Sequence, residues 1–211
     1  MTKKDCRINQ EPLLLEMERY AEAHYVPIIK AQERELFQSI VRECQPGKVL
    51  EIGTGIGYST LLLAEFTSPE TAIVTIEQNE KRIELATDFI GRSPYADRIF
   101  IETGDAADVL PKLEGTFDLI FMDASKGQYV DYFRKMQHLL SEDAVILADN
   151  VLFRGYVLSG EWPPHEIRSM VMHLREYLDI VIHTPGLSTE LYENGDGLAV
   201  TRRIRNDKKK T

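Results

Sequence analysis

The chain has 211 residues, of which 43% are apolar, and its formal net charge is −9. This length and composition are typical of one globular domain with a sizeable core. The negative charge argues against nonspecific adhesion to nucleic acid over the whole surface, although a local basic patch remains compatible with it. No apolar run approaches the ~20 residues that cross a bilayer, and no signal peptide follows the charged N-terminus, so we expect no membrane association.

The two cysteines, Cys6 and Cys44, form neither a CxxC pair nor a metal-binding pattern. Free thiols are the simpler interpretation, and they indicate a reducing compartment. We therefore expect a cytoplasmic protein.

Two amphipathic helices are predicted before the first strand, over residues 9–23 and 33–44, because apolar residues recur there at helical spacing. The segment between them, Y-V-P-I-I at 25–29, is extended because its proline disfavours a helix. It either walls a ligand site or simply joins the helices. We expect residues 1–45 to cap a site on a core formed by 46–211.

Residues 48–59, K-V-L-E-I-G-T-G-I-G-Y-S, predict a buried strand, a glycine turn and the start of a helix. In a parallel sheet this arrangement makes a nucleotide-sized pocket. The third glycine of the G-x-G-x-x-G fingerprint would stand at position 58, where this chain has Tyr58. Glu51, two residues before the first glycine, would repel a phosphate but suit a cationic amino-acid group.

Glu77 ends the next apolar run, 72–76, and lies where a carboxylate can accept both hydroxyls of a ribose. The ligand implied has a ribose, a positive end and no bulky phosphates. S-adenosylmethionine fits this description. Taken alone, the glycines are also compatible with an ordinary turn after a strand.

Strands and helices alternate after the glycine turn, which predicts an α/β fold with a parallel sheet covered on both faces. The predicted strands are 72–76, 98–102, 117–122 and 144–148, and the predicted helices are 60–66, 80–90, 107–113 and 129–140. After residue 150 we expect a loop, a helix over 166–178, a strand over 180–183, and a hairpin made by 187–193 and 198–203.

Acidic residues stand at the ends of five consecutive predicted strands, the edge where parallel sheets bind ligands. They are Glu51, Glu77, Asp105, Asp123 and Asp149, the last followed by Asn150. Each alone is most often a loop or helix cap, but five in a row favour a site. The first three suit the cofactor, with Asp105 accepting from the adenine amino group.

Asp123, Asp149 and Asn150 offer three oxygen ligands on neighbouring strand ends. Such hard ligands suit Mg²⁺, or alternatively Mn²⁺ or Ca²⁺, and adjacent carboxylates repel unless a cation lies between them. Lys126 follows on the same loop. A random lysine is most often a solvated surface residue, but beside a cation its pKa falls and it becomes a candidate base.

Four segments carry a family resemblance: E-I-G-T-G-I-G-Y-S, T-I-E, M-D-A-S-K and A-D-N. Together they resemble the cation-dependent, S-adenosylmethionine-dependent O-methyltransferases, the group containing catechol and caffeoyl-CoA O-methyltransferases. The resemblance runs from about Tyr20 to the end of the chain, and D-A-S-K with D-N at this separation is its specific part. It implies a doubly wound, mostly parallel seven-stranded sheet, the Rossmann-like class I methyltransferase fold, and often a homodimer.

The resemblance also assigns residues. It implies that the cofactor is held by Ile29, Glu51, Gly53, Gly55, Ser59, Glu77, Asp105, Ala106 and Asp123. It implies that the metal is held by Asp123, Asp149 and Asn150, and that Lys126 is the base of an in-line methyl transfer.

Further segments, among them Y-A-E-A-H-Y-V-P-I, D-N-V-L-F-R-G and G-D-G-L-A-V, resemble the bacterial tRNA 5-hydroxyuridine methyltransferases. This implies methylation of that hydroxyl at the anticodon wobble position to give 5-methoxyuridine. Arg154, Tyr129, Trp162 and the last ten residues, with six Lys or Arg, suit RNA by phosphate contact and stacking. Alternatively, Tyr129 is a core residue, Trp162 packs a loop and the tail is solvated.

Two other functions remain open from the residues. One is methylation of small catechol-like molecules, with the same chemistry and a different acceptor. The other is a regulatory domain that binds the cofactor without turnover, against which the intact set of metal and base candidates counts. Hydrolase motifs are absent from the sequence, since G-Y-S-T-L is not G-x-S-x-G and no H-E-x-x-H occurs.

Overall fold

The computed structural model describes residues 11–204, apart from the side chains of residues 11 and 32. Seven strands form one sheet in it: β1 Lys48–Ile52, β2 Ala72–Glu77, β3 Ile99–Thr103, β4 Phe117–Met122, β5 Leu140–Asp149, β6 Leu187–Tyr192 and β7 Leu198–Arg203. The α-helices are α1 Glu11–His24, α2 Ala31–Cys44, α3 Tyr58–Phe66, α4 Glu80–Gly91, α5 Ala106–Val109, α6 Tyr129–Lys135 and α7 His165–His183.

The sheet has the order β3-β2-β1-β4-β5-β7-β6. The first five strands pair in parallel, whereas β7 is antiparallel to both β5 and β6. The predicted doubly wound, mostly parallel seven-stranded sheet is therefore confirmed. All carboxyl ends of the parallel strands lie at one edge, where the site is found.

Alternate residues of each central strand face opposite sides of the sheet, and each side has its own buried cluster. On β1, Val49 packs in the cluster that includes α1 to α4, and Leu50 packs in the cluster that includes α5 to α7. Leu119 and Ile120 repeat this division on β4. Because helices cover both faces of the sheet, side chains on both faces of a strand are buried, which explains the near-continuous apolar runs. Burying one such side chain contributes about 1.5–3 kcal/mol to stability.

The strand predicted over Ile180–His183 is wrong, because these residues form the last turn of α7. Their β-branched side chains favour a strand locally. However, Val171, Leu174, Leu178 and Val181 are all buried on one face of the helix. This stripe at helical spacing continues through position 181, and its packing against the sheet outweighs local propensity.

The helix predicted over 129–140 is shorter in the structure. It ends at Lys135, a 3-10 turn covers Gln137–Leu139, and β5 already begins at Leu140. The helix predicted over 107–113 is likewise one turn of α-helix followed by a 3-10 turn over Leu110–Lys112, which contains a proline.

The two N-terminal helices are fixed to the turn that follows β1. Glu18 of α1 accepts hydrogen bonds from Arg34 of α2 at 2.5 Å and from the Tyr58 hydroxyl at 2.6 Å. Tyr58 is the first residue of α3 and is buried. One partly buried polar cluster thus joins three helices beside the glycine turn. Among the described residues, no helix is long and apolar enough to cross a membrane.

Candidate active site

A cavity of about 580 Å³ opens at the carboxyl edge of the sheet, a size usual for small-molecule sites. Most of the predicted site residues line it: Ile29, Gly53, Gly55, Ser59, Glu77, Ala106, Asp123, Lys126, Asp149 and Asn150. Glu51 and Asp105 are not among its lining residues.

The glycine turn is drawn tightly against the neighbouring strands. The backbone N–H groups of Gly53 and Thr54 donate to the carbonyl of Ile76 at 2.9 and 3.2 Å. Gly53 has φ +102°, and a Cβ atom there would lie 2.3 Å from the carbonyl oxygen of Asp123. Only glycine allows this approach, so the turn and the end of β4 are held at a fixed separation.

Glu77 is buried at the end of β2 and binds backbone on both sides. Its Oε1 accepts from the N–H groups of Gln78 and Asn79, and its Oε2 accepts from Gly55 N, each at 3.0 Å. The carboxylate is therefore held in place at the cavity wall before any ligand binds. It also ties the middle of the glycine turn to β2.

Glu51 is not among the residues that line the cavity, and its predicted contact with the cofactor's amino-acid group stays a prediction. It is fully buried beneath the turn, where the hydroxyls of Ser59, Thr60 and Thr75 donate to its carboxylate. Burial, partly opposed by these hydroxyls, raises the pKa of Glu51 to about 7. The sequence placed Glu51 at the correct strand end but could not show which side of the turn its carboxylate occupies.

Asp105 forms the N-cap of α5, with its Oδ1 accepting from Ala107 N at 2.8 Å. The capping interpretation, which the sequence offered for any single acidic residue, therefore describes its structural role. Ala106, the next residue, lines the cavity. The predicted adenine contact by Asp105 stays a prediction.

Asp123, Asp149 and Asn150 come together on the tips of the neighbouring strands β4 and β5. Lys126 donates from Nζ to Asp123 Oδ1 at 2.6 Å, and its side chain is only 13% exposed. Burial and the nearby charge of Asp123 raise the pKa of Asp149 to about 7, an effect that Lys126 and the Asn150 N–H partly oppose. Ionisation of Asp149 beside Asp123 is therefore unfavourable unless a further positive charge is present.

Tyr129 is a core residue, so its predicted role as an exposed stacking candidate is wrong. Its ring is fully buried, and its hydroxyl donates to the carbonyl oxygens of Met122 and Asp149 at 2.9 and 3.0 Å. These two hydrogen bonds join the ends of β4 and β5. Tyr129 thereby fixes the spacing of the strand tips that carry Asp123 and Asp149.

The extended segment after α1 walls the cavity, which decides between the two interpretations of Y-V-P-I-I. Val26, Pro27, Ile28 and Ile29 all line it. The polar lining residues outside the predicted site include Lys30, Glu33, Thr54, Gln78, Arg82, Tyr132 and Asp196. Most of them lie at helix starts or in loops, where the spacing of residues in the sequence does not indicate which way a side chain points.

A seven-stranded sheet with a glycine turn after β1 and a ligand-sized cavity at its carboxyl edge is the class I methyltransferase architecture. The chain belongs to the O-methyltransferase family, since the model of that family matches residues 4–204.

Two curated relatives are catechol O-methyltransferases, from Mycobacterium tuberculosis and Niastella koreensis. They are 38% and 34% identical to this chain over 132 and 134 residues. Each match covers 62% of this chain, and 60% and 61% of the respective relative, so less than two thirds of either relative is matched. A solved O-methyltransferase from Bacillus cereus, in complex with SAH, superposes with a TM-score of 0.83 at 28% identity and covers 94% of both chains.

Proposed function

We propose that this chain is an S-adenosylmethionine-dependent O-methyltransferase that uses a divalent metal ion. The observation that carries the proposal is the single cavity that joins the glycine turn and Glu77 to Asp123, Asp149 and Lys126. Family membership and the SAH complex of the Bacillus cereus structure support the choice of cofactor.

The cofactor half of the cavity, defined by Gly53, Gly55, Ser59 and Glu77, suits a nucleoside with a cationic end. Glu77 provides a fixed carboxylate for ribose hydroxyls. Gly55 has no side chain toward the cavity and nothing within 4 Å of its missing Cβ, so a ligand can lie against bare backbone. Tyr58 fills the position of the third glycine of a dinucleotide fingerprint, which disfavours a pyrophosphate.

The residues at the strand tips fit a divalent ion. Two carboxylates and one amide oxygen are hard ligands of the kind that Mg²⁺ prefers, with room left for water. Among residues 11–204 no side-chain nitrogen forms an ion pair with Asp149, whereas Asp123 has Lys126. The Asp149 carboxylate therefore has no positively charged partner among these residues. A cation held by Asp123, Asp149 and Asn150 would provide one.

Such a cation would stabilise the ionised form of an acceptor hydroxyl, and a three-unit fall of a phenol-like pKa corresponds to roughly 4 kcal/mol. The protein's own contribution is positional. Lys126, held by Asp123 at 2.6 Å, would first release its own proton to solvent and would then receive the acceptor's proton at Nζ. Tyr129 keeps the two strand tips in register, and the V-P-I-I wall excludes water from one side.

A first test measures methyl transfer from S-adenosylmethionine to catechol by the purified protein, with Mg²⁺ and with excess chelator. We expect activity only with the metal. Lys126→Ala should lower kcat about 100-fold and change the pH–rate profile, which general acid–base catalysis predicts. Lys135→Ala, which removes a helix-surface lysine paired with Asp131, is the control. Undiminished activity in chelator would refute the metal role.

For the acceptor, we propose 5-hydroxyuridine in the tRNA anticodon rather than a free catechol. Its hydroxyl lies beside a carbonyl, so both oxygens can reach one cation. The segment after Asn150, residues 151–164, is here called the acceptor loop. It carries Trp162, which is 70% exposed with the Arg168 guanidinium 5.0 Å from its ring centroid, and the exposed Arg154. An exposed aromatic with nearby cations supports base stacking and phosphate contact.

Two of the six tail cations already have partners in the fold. Arg202 pairs with Glu43 at 3.2 Å, and Arg203 donates to the carbonyl of Leu140 at 3.0 Å. The remaining four lie at 205–211, outside the described residues. Their predicted contact with RNA stays a prediction, as does the homodimer implied by the family resemblance, which sedimentation equilibrium would test.

Binding of an anticodon stem-loop carrying 5-hydroxyuridine tests the RNA acceptor. Trp162→Ala should weaken binding about 10-fold, because stacking of one base contributes about 1–3 kcal/mol. Phe100→Ala, which removes an exposed aromatic from the edge strand β3, should have no effect. Nucleoside mass spectrometry of tRNA from a deletion strain should show loss of 5-methoxyuridine. Methylation of catechol without any transfer to the stem-loop would favour the small-molecule alternative.

A further inference from the structure

The loop between β6 and β7, residues 194–197 (N-G-D-G), lies against the acceptor loop. In the antiparallel pairing of β5 with β7, Asp149 is opposite Leu198. The pairing continues past the strand end, because Val151 N donates to Gly197 O at 3.1 Å and Leu152 N donates to Asp196 O at 2.8 Å. The 194–197 loop is therefore carried to the same edge as the proposed metal ligands.

The contact between the two loops leaves no room for a side chain at Gly197. This residue has φ +83°, and a Cβ atom there would lie 2.3 Å from Leu152 Cγ. Such a close approach requires glycine. The residue that precedes it, Asp196, is consequently held in one position relative to the start of the acceptor loop.

The carboxylate of Asp196 is anchored by one oxygen only. Its Oδ1 accepts from Arg154 N at 3.1 Å. Its Oδ2 receives no hydrogen bond from any residue within 11–204. The side chain is half-buried and lines the cavity. A carboxylate oxygen of this kind is a strong acceptor for a hydrogen bond from a ligand.

We propose that Asp196 is a specificity-determining residue, which accepts a hydrogen bond at Oδ2 from an N–H group next to the acceptor's carbonyl. This inference rests on the proposed methyl transfer to adjacent oxygens. In 5-hydroxyuracil the hydroxyl and the 4-carbonyl are the adjacent oxygens, and the imide N3–H follows that carbonyl. A catechol has only a C–H group at the corresponding position. Asp196 would therefore favour an imide-containing ring over a catechol.

The test compares three acceptors with wild-type enzyme, S-adenosylmethionine and Mg²⁺: an anticodon stem-loop carrying 5-hydroxyuridine, the same RNA methylated at N3 of that base, and catechol. Wild-type kcat/KM should be about 10- to 100-fold lower for the N3-methylated RNA, as expected for loss of a charge-assisted hydrogen bond. Both RNAs keep the hydroxyl and the carbonyl, but the methyl group also adds bulk, so the comparison is repeated in Asp196→Ala, which removes the proposed hydrogen-bond acceptor.

Asp196→Asn keeps an acceptor oxygen for Arg154 N and places an NH₂ donor where Oδ2 was. The ratio of kcat/KM for 5-hydroxyuridine RNA to that for catechol should fall about 10- to 100-fold. Asp196→Ala should abolish discrimination between the two RNAs. Glu193→Gln, an exposed carboxylate beside the 194–197 loop, is the matched control and should leave every ratio unchanged.

Three results would overturn the assignment. The first is an equal fall for RNA and catechol in Asp196→Asn, since Asp196 would then only position the acceptor loop. The second is equal use of both RNAs by the wild type. The third is wild-type activity on catechol with none on RNA. Activity on neither acceptor would instead contradict the proposed function itself, and a cofactor-binding measurement then shows whether the methyl donor still binds.

Discussion

The two halves of the cavity differ in how completely their polar groups are satisfied. On the cofactor side, Glu51 accepts three hydroxyl hydrogen bonds and Glu77 accepts three backbone ones. On the acceptor side, within residues 11–204, the Asp149 carboxylate accepts only the N–H of Asn150, and Asp196 Oδ2 accepts no hydrogen bond. The cofactor half is complete before a ligand binds, whereas the acceptor half leaves oxygen atoms that a cation or a donor would satisfy.

The backbone shows the same contrast. The left-handed residues of the glycine turn on the cofactor side are Gly53, Gly55 and Gly57, for which this conformation carries little strain. The acceptor side uses Asn150, Phe153 and Arg154 in that region, where a side chain costs about 1–2 kcal/mol per residue. Backbone strain that is held by surrounding contacts is characteristic of functional segments. The strained residues therefore mark the acceptor half as the part of the cavity that recognises the acceptor.

Removal of a proposed metal ligand gives the largest expected effect and tests the acceptor half alone. Asp149→Ala should reduce turnover about 1000-fold, which is the several kcal/mol that a Lewis-acid cation contributes. Isothermal titration should show nearly unchanged cofactor affinity. Glu142→Ala, an exposed carboxylate at the far end of the same strand, is the control. A parallel loss of cofactor affinity would show that the halves are not separable.

A methyl group on the glycine turn tests the rigidity of the cofactor half. Gly53→Ala should lower the free energy of unfolding by about 3 kcal/mol, because the added Cβ meets the Asp123 carbonyl and the backbone is left-handed. Gly55→Ala has similar backbone strain but open space, so about 1 kcal/mol is expected. Urea unfolding of both variants measures the difference, and equal losses would contradict the close contact.

The buried carboxylate of Glu51 should make stability depend on pH. Its pKa is about 7 in the folded chain against a reference of 4.5, so the folded state binds the proton more tightly than the unfolded state. That contribution favours folding at low pH and is lost as pH rises through the folded pKa near 7, by about 2–3 kcal/mol between pH 5 and pH 8.

Glu51→Gln should remove this part of the dependence, while Glu142→Gln, at an exposed position, should not. Urea unfolding at the two pH values measures both. Asp149, whose pKa is also raised to about 7, leaves a slope of its own, so a wild-type stability that is flat over this range, or a slope that is undiminished in Glu51→Gln, would exclude the effect.

The smallest effect concerns the support of the acceptor loop by α7. The Arg175 guanidinium donates to the carbonyls of Tyr156, Val157 and Glu161 at 2.7, 3.1 and 3.0 Å. Arg175→Lys cannot reproduce this fork and should destabilise the protein by about 1 kcal/mol. Hydrogen exchange should increase in 151–164 while the glycine turn is unaffected. Arg134→Lys, which changes an exposed surface pair with Glu176, should leave exchange unaltered.

Sequence reasoning was strongest where one pattern determines structure by itself. The glycine turn, the alternation of strands and helices, and the meeting of Asp123 with Asp149 and Asn150 all follow from periodicity and from the geometry of parallel sheets. It failed for Ile180–His183 because tertiary packing of a helix stripe overrides β-branched propensity. Its strand ends were accurate to within a few residues, except that β5 begins at Leu140.

Sequence reasoning could not predict the direction in which a side chain points. Nothing local distinguishes Glu51, which faces three hydroxyls, from Glu77, which faces the cavity, because both simply end a strand. Tyr129 was misplaced for the same reason, since its burial depends on the facing Tyr177 ring, 5.5 Å away between centroids. Asp196 lies in the G-D-G-L-A-V segment that carries a resemblance, but its place at the cavity could not be predicted, because it depends on a pairing between segments more than 40 residues apart.

The pairing of β7 with β5 has a consequence for how the protein becomes functional during synthesis. Strands β1 to β4, which hold the glycine turn and Glu77, lie within the first 122 residues, but a domain generally folds as a unit. The backbone N–H groups of Val151, Leu152 and Arg154 gain their acceptors only after residues 196 and 197 arrive. The acceptor loop therefore cannot take its final shape until nearly the whole chain has been synthesised.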